Sequence, residues 1–251
     1  MNVANIYAVT ALDVKSTLRD KTAIFFLLVF PVGFYIFFAS FSGAIGSEAA
    51  SLKYYNTNTP NFTAVLILLI SFLNIAPSVA MAKHMGFLNR LMVTPVKVYE
   101  LWAGFCLRAM LLFAIGYVVM LLAGLVMFGY WPKANPIQLM LPMLVIGFAM
   151  LPAGILIGVL FPAPQRAFSA GMLFMQPLLI LSGAGMSRDA FPQWAQALSD
   201  FVPTTYAVQI SRLAWENELF TRASVFPIAL LLVFGAVCAF AAAVIFRNSY
   251  R

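Results

Sequence analysis

Six long apolar runs, separated by short polar or basic stretches, dominate the pattern of this chain. They cover residues 23–45, 62–82, 101–129, 137–161, 167–186 and 224–246. Since a helix needs about 20 apolar residues to cross a bilayer, each run predicts one transmembrane helix. Residues 47–60, between the first two runs, predict a polar loop. The fold class is therefore an all-α polytopic membrane protein with six transmembrane helices in a single domain, residues 1–251.

The stretch before the first run, residues 2–20, has the pattern of an amphipathic helix. Its apolar side is formed by Val3, Tyr7, Ala11, Val14 and Leu18. This pattern predicts an N-terminal interfacial helix that lies on the inner leaflet. A frayed polar leader remains the alternative. The first apolar run is too long for the core of a secretory signal peptide.

Residues 83–97 lie between the second and third apolar runs, and this stretch cannot sit in hydrocarbon. Three basic residues lie in it: Lys83, Arg90 and Lys97. Basic loops stay on the cytoplasmic side of a membrane. Three apolar residues recur at helical spacing: Leu88, Leu91 and Met92. This spacing predicts a short cytosolic helix, which Pro95 ends because the residue before a proline avoids the helical region. The helix either packs on a partner or lies flat on the lipid surface.

Residues 187–223 contain a second interrupted segment, just before the last run. Trp194, Ala197 and Leu198 form an amphipathic stretch that is too short to span a bilayer. Segments of about 10 to 14 residues are usually interfacial or re-entrant. The pattern therefore predicts extracellular re-entrant half-helices before the last span.

The distribution of basic residues predicts the orientation. Nine lysines and arginines fall on the predicted inner side and five on the outer side, with Arg108 uncounted. This bias places both termini in the cytoplasm. Arg108 lies inside the third run, and we expect its side chain to snorkel to the inner surface. Asn74, inside the second run, is expected to bond another helix rather than to line a cavity.

The composition supports a membrane protein and excludes several other classes. Apolar residues make up 63% of the chain and charged residues 9%, against about 25% charged in an ordinary soluble domain. The mean hydropathy is +0.94. Membrane orientation explains the net charge of +7 better than nucleic acid does, because no basic stripe with interleaved aromatics occurs. Cys106 and Cys238 lie within apolar runs and imply no disulfide framework.

Residues that would carry catalysis or ion coupling are missing from the predicted spans. His84 is the single histidine, which leaves no metal cluster or catalytic triad. All eight carboxylates fall outside the predicted hydrocarbon, whereas ion-coupled carriers normally need an intramembrane carboxylate or a broken-helix ion site. No Gly-Lys dipeptide occurs, so the phosphate-binding loop of ATPases is absent even though Leu181-Ser182-Gly183 is similar to their signature. Any energy for transport is therefore expected to come from outside this chain.

Two segments resemble the ABC transporter permeases of the type-2 export class. One is residues 88–96, which read L-N-R-L-M-V-T-P-V. The other combines L-S-G at 181–183, P-Q-W at 192–194, P-T-T-Y at 203–206 and Arg212. The resemblance implies a coupling segment that contacts a separate ATPase through Gly86, Leu88, Arg90, Leu91, Thr94 and Pro95. It also implies an outer gate formed by Pro192, Trp194, Pro203, Tyr206 and Arg212. Met85 stands where the family usually has an acidic residue before the glycine, which leaves the usual ion pair with the ATPase open.

The function implied by this resemblance is that of the transmembrane subunit of an ATP-driven exporter in a bacterial plasma (inner) membrane. The expected cargo is an apolar or amphiphilic small molecule, similar to a drug or an antibiotic. Two ATPase subunits would bind ATP and magnesium, and this chain would carry no cofactor and no enzymatic activity. Its expected partners are a second permease, identical or different, and membrane lipid. Export of a lipid-linked glycan or polysaccharide is the alternative, followed by a stand-alone ion-coupled carrier or channel.

Overall fold

The computed structural model describes residues 25, 29–41, 48–86, 98–132, 134–184 and 191–249. Within these ranges the secondary structure is helical and contains no strand. We number the helices as follows: α1 Phe30–Phe41, α2 Glu48–His84, α3 Val98–Phe128, α4 Pro136–Leu160, α5 Pro164–Leu181, α6 Gln193–Ser199, α7 Pro203–Trp215 and α8 Arg222–Ser249. The predicted interfacial helix at residues 2–20 lies outside the described residues.

Four of these helices are long and apolar enough to cross a membrane, namely α2, α3, α4 and α8. For α3, α4 and α8, the predicted spans agree with the observed helices to within three residues at each end. The two remaining predicted spans correspond to shorter helices, α1 with 12 residues and α5 with 18. The prediction of an all-α membrane fold is thus confirmed at the level of helices.

The predicted polar loop at residues 47–60 is wrong, because α2 already begins at Glu48. Polar side chains in this stretch bond to carbonyls of the same helix. Ser51 donates to the Glu48 carbonyl at 2.8 Å and Thr59 to the Tyr55 carbonyl at 2.6 Å. Glu48 also places a negative charge in the first turn, where the helix dipole favours it. Low hydropathy in this stretch therefore marks a polar helix and not a break between helices.

A seven-residue π-helical segment, Leu69–Ile75, interrupts α2. It packs closely against α4 and α5 at positions occupied by glycine. A Cβ atom on Gly154 would lie 2.5 Å from Ser71 Oγ and still closer to the Ser71 carbonyl, and one on Gly171 would overlap the Phe72 carbonyl. Ser71 Oγ also donates to the Met150 carbonyl of α4. Small residues allow membrane helices to approach closely, so three helices meet around this segment.

Helix α5 ends five residues before the predicted end of its span at residue 186. Ser182 is its C-cap, and Gly183 follows with a φ of +75°. A glycine in the left-handed conformation commonly terminates a helix. The tripeptide Leu181-Ser182-Gly183 is therefore a helix stop.

Contacts between the long helices define two ends of the bundle. Lys83 at the end of α2 meets Val159 at the end of α4, and Trp102 of α3 packs on Phe246 of α8. We call this the Gly86 end. At the other end, Tyr55 near the start of α2 packs on Phe128 at the end of α3 and on Trp215 of α7. We call this the Trp215 end. Helices α2 and α3 both run from one end of the bundle to the other, and they are antiparallel.

Candidate functional site

The predicted coupling segment begins at the end of α2, and residues 83–86 are its described part. Gly86 has a φ of +65°, and its N–H donates to the Lys83 carbonyl at 3.1 Å. Lys83 Nζ donates to the Val159 carbonyl at 2.5 Å, so the last turns of α2 and α4 are tied together where the segment begins. The other predicted contacts lie outside the described residues: Leu88, Arg90, Leu91, Thr94 and Pro95.

The predicted gate residues lie on the two short helices α6 and α7, with Pro192 directly before α6. Pro203 occupies the first turn of α7, where its missing N–H leaves no helix bond unmade. The Tyr206 hydroxyl donates to the Asp200 carbonyl at 2.8 Å, and its ring packs on Phe226. By contrast, Pro192 caps α6, and the Trp194 side chain on that helix is 68% exposed. Pro203 and Tyr206 therefore belong to α7 and its contacts, whereas the Trp194 side chain is exposed on α6.

Arg212, the last predicted gate residue, connects α7 to α2. Its Nε donates to Asn61 Oδ1 at 2.8 Å. Asn61 is 2% exposed, and its Nδ2 lies 3.4 Å from the Ala184 carbonyl, just past α5. One buried amide thus links α7, α2 and the segment that follows α5.

One turn further along α7, Trp215 makes a second connection to α2. Its indole N–H donates to Asn56 Oδ1 at 3.2 Å, and its ring packs edge-on against Tyr55 with 5.3 Å between centroids. We call the set Asn56, Asn61, Arg212 and Trp215 the α2–α7 clamp. It contains two side-chain hydrogen bonds between α2 and α7, and its Trp215 ring also packs on Tyr55.

The start of α7 is held as firmly as its end. Thr204 Oγ1 donates to the Leu178 carbonyl of α5 at 2.9 Å. Thr205 Oγ1 donates to the Ser199 carbonyl of α6 at 2.8 Å. Helix α7 is consequently bonded to α5 and α6 at its start and to α2 at its end, so any movement of α7 must break several polar contacts.

The amides of the clamp were missed in the sequence because residues 47–60 were interpreted as a loop. A signal was nevertheless present. Polar residues recur every fourth position at Ser51, Tyr55, Thr59 and Thr63, and all four are buried. This spacing indicates one buried face of a helix, and a helix here would have brought Asn61 into consideration as a partner for Arg212.

The prediction that Arg108 snorkels to the inner surface is wrong. Its side chain is 4% exposed, and its Nη2 donates to Asn74 Oδ1 at 3.1 Å and to Ser78 Oγ at 3.2 Å. The Phe105 ring lies 5.5 Å from the guanidinium carbon. Two acceptors on α2 thus bond one guanidinium nitrogen inside the bundle, and the side chain does not reach the surface. The prediction that Asn74 bonds another helix is confirmed.

Comparison with known proteins identifies the family. The family model described as ABC-2 type transporter matches residues 4–215. The chain belongs to this family. The match covers the whole α2–α7 clamp and ends at Trp215, before α8. It confirms the resemblance that residues 88–96 and 181–212 suggested.

Relatives of this ABC-2 type transporter include permeases named for drug resistance. It is 25% identical over 174 residues to the probable multidrug ABC transporter permease of Escherichia coli (strain K12), covering 66% of this chain and 47% of that protein. It is 23% identical over 146 residues to the linearmycin resistance permease protein of Bacillus subtilis (strain 168), covering 58% and 37%. With the daunorubicin resistance ABC transporter permease protein of Streptomyces coeruleorubidus, it is 22% identical over 189 residues, covering 74% and 66%. The chain thus spans about half the length of the first of these relatives.

Proposed function

We propose that this chain is the transmembrane subunit of an ATP-driven exporter that moves an apolar or amphiphilic, drug-like or antibiotic-like molecule out of the cell. The observation that carries the proposal is the family match over residues 4–215. The names of the relatives support the class of cargo, since one is a probable multidrug permease and the other two are named for linearmycin and daunorubicin resistance.

The placement of carboxylates supports an external source of energy. Among the residues whose side chains the structure describes, Glu48 lies in the first turn of α2, and Asp200, Glu216 and Glu218 follow the short helices. An ion-coupled carrier usually holds a carboxylate near the middle of the membrane. We therefore assign ATP and magnesium to two separate ATPase subunits, which would pair with two permeases.

Six crossings remain part of this proposal. Helices α1 and α5 would add two crossings to the four long apolar helices. The Gly86 end would face the cytoplasm, because the basic residues of the coupling segment favour that side. Both termini would then lie in the cytoplasm of a bacterial cell, and the Trp215 end would face outward with α6 and α7 as re-entrant half-helices.

Transport would follow from movement of α2. Closure of the ATPase pair on ATP would push on residues 83–97, and α2 would carry the displacement from His84 to the α2–α7 clamp. Release of Arg212 and Trp215 from α2 would then free α7 and open a path to the outside. Tight bonding of α7 at both of its ends supports a role as a closed gate in the absence of ATP.

The test uses inverted membrane vesicles that contain the permease together with the ATPase that copurifies with it. Daunorubicin serves as the probe, and its fluorescence reports uptake. We expect uptake that requires ATP, is blocked by vanadate, persists when ionophores collapse ion gradients, and is absent from vesicles without the permease. Uptake driven by an ion gradient in vesicles without any ATPase would refute the proposal. ATP-dependent uptake of a lipid-linked glycan in place of the drug would support the polysaccharide alternative.

A further inference from the structure

Arg108 of α3 is bonded to α2 on both sides of the point where α2 is expected to bend. Asn74 lies in the π-helical segment, whereas Ser78 lies in the regular helix Ala76–His84 that follows. The same nitrogen, Arg108 Nη2, donates to both side chains. Sharp bends in helices occur at π-bulges and at prolines, and Pro77 lies between the two acceptors.

We propose that Arg108 is a positioning residue that prevents α2 from bending at this point and makes α2 and α3 move as one unit. The inference rests on the proposed function, because the movement in question is the one that ATP would drive. Without the Arg108 bonds, α2 would bend at the π-helical segment when His84 is displaced. With these bonds, the displacement reaches the part of α2 that carries Asn56 and Asn61.

The position of Arg108 relative to the coupling segment fits this role. Helices α2 and α3 flank that segment on either side, so a push on it acts on both helices. At about 1.5 Å per residue, Ser78 lies about 9 Å from His84, and Arg108 lies about 15 Å from Val98. The bond therefore closes the α2–α3 hairpin a short distance inside the bundle, where it can transmit movement of the segment to both helices.

Helices α4 and α5 hold the opposite side of the π-helical segment. Ser71 Oγ donates to the Met150 carbonyl, and Gly154 and Gly171 bring α4 and α5 against the backbone of the segment. These contacts lie before Pro77. Helix α4 also packs on both sides of Pro77, because a Cβ atom on Gly158 would lie 2.6 Å from the Ala76 carbonyl oxygen and 2.6 Å from Val79 Cβ. Arg108 adds a contact from α3 that spans Pro77.

The choice of an arginine argues for more than packing. A charged side chain inside a membrane is expensive, and such residues are usually functional. An apolar residue could hold two helices together, but it could not bond Asn74 and Ser78 at the same time. The two N–H groups of Nη2 are held in fixed directions by the planar guanidinium, whereas the donors of a lysine ammonium rotate, so lysine is expected to replace arginine only in part.

The test compares Arg108→Gln and Arg108→Lys with Arg247→Gln, a matched control on an exposed arginine at the Gly86 end. The parent protein carries Cys106→Ala and Cys238→Ala, which remove the two cysteines of the chain. It also carries Ser211→Cys on α7, at a position that is 5% exposed. Each variant is purified with its ATPase, and two quantities are measured: ATP hydrolysis, and the rate at which a water-soluble maleimide modifies residue 211 with and without ATP and vanadate.

In the parent and in Arg247→Gln, we expect ATP with vanadate to accelerate modification as α7 is released. In Arg108→Gln, hydrolysis should continue while the nucleotide-dependent acceleration falls about fivefold or more, which is the lower end of the usual range for coupling between sites. Arg108→Lys should restore part of the acceleration. Asn74→Leu provides a second variant that removes one acceptor and leaves Arg108 in place, and it should also reduce the acceleration.

Three outcomes would overturn the inference. The acceleration could persist in Arg108→Gln and Asn74→Leu, or hydrolysis and acceleration could fall together in proportion to the amount of assembled complex, which would indicate a structural role only. A parent protein with no nucleotide response would refute the proposed function itself, and the inference would fall with it. A response in the parent that Arg108→Gln preserves would refute the inference alone.

Discussion

Replacement of Gly154 by alanine tests whether the π-helical segment is packed as tightly as the structure indicates. The added Cβ atom would lie 2.5 Å from Ser71 Oγ and 2.8 Å from the Ser71 carbonyl carbon. Both distances are well below van der Waals contact. Because the carbonyl belongs to the backbone of α2, it cannot move aside as the end of a flexible side chain would, and α2 and α4 must separate.

The expected magnitude follows from two opposing terms. Overpacking of a tight core costs about 1–3 kcal/mol. Alanine is favoured over glycine in a helix by about 1 kcal/mol, which offsets part of that cost. Gly33 of α1 provides the matched control, because a Cβ atom there would meet nothing within 4 Å. The Gly33→Ala variant gains the propensity term alone, so the difference between the two variants isolates the overlap at about 1–3 kcal/mol.

Thermal unfolding in detergent measures this difference. A maleimide dye that becomes fluorescent on reaction reports exposure of Cys106 and Cys238, which are partly and fully buried. At about 2–4 °C per kcal/mol for a chain of this size, Gly154→Ala should melt at least about 2 °C below Gly33→Ala. Equal melting temperatures, or a higher one for Gly154→Ala, would refute the close approach of α4 to the π-helical segment.

Three further predictions concern the gate and the coupling segment. Arg212→Gln removes the bond from Arg212 to Asn61, and interhelical bonds in membranes contribute about 0.6–1.7 kcal/mol. Leak of a small dye through vesicles that contain the permease, without ATP, should therefore rise about threefold to twentyfold. An unchanged leak would contradict a gate at Arg212. Thr204→Val loses the bond to the Leu178 carbonyl, so the melting temperature should fall by about 2–4 °C for a loss of about 1 kcal/mol, whereas Thr204→Ser should melt close to the parent. Gly86→Val forces a branched side chain into a left-handed conformation, at a cost of about 1–2 kcal/mol, and should reduce copurification of the ATPase. Gly86→Asn should retain copurification, because asparagine adopts this conformation more readily. Equal recovery of ATPase with both variants would contradict a conformational requirement at Gly86.

The long apolar helices could be predicted from the sequence because hydrophobic length is the dominant constraint on a membrane helix. Residues 101–129, 137–161 and 224–246 were predicted nearly in full for this reason. Hydropathy cannot locate the ends of a helix that begins with polar residues. Residues 47–60 were therefore misinterpreted, although their side chains are satisfied within α2.

For the candidate site, the sequence locates residues whose contacts are close in the chain, but it does not specify the partners of residues whose contacts are distant. Pro203 and Tyr206 lie close to their sequence neighbours, and the motif around them locates α7. Arg212 and Arg108 each bond a residue on α2 that is at least 30 positions away. No local pattern specifies such a partner, so the clamp and the buried guanidinium emerge only when the helices are assembled.

The length of α2 explains why the α2–α7 clamp and the bond from Arg108 to Asn74 can behave differently. Its 37 residues correspond to about 55 Å of helix, whereas the hydrocarbon is about 30 Å thick and takes up about 20 residues. If His84 lies at one boundary, the other boundary falls near residue 64. Asn56 and Asn61 then lie outside the hydrocarbon, where water can replace Trp215 and Arg212 when the clamp opens. Asn74 lies about 15 Å from His84, near the middle of the hydrocarbon, where no water is at hand to replace Arg108. The same kind of hydrogen bond is thus reversible at the Trp215 end and persistent in the core, which is the combination that a gate moved by a stiff helix requires.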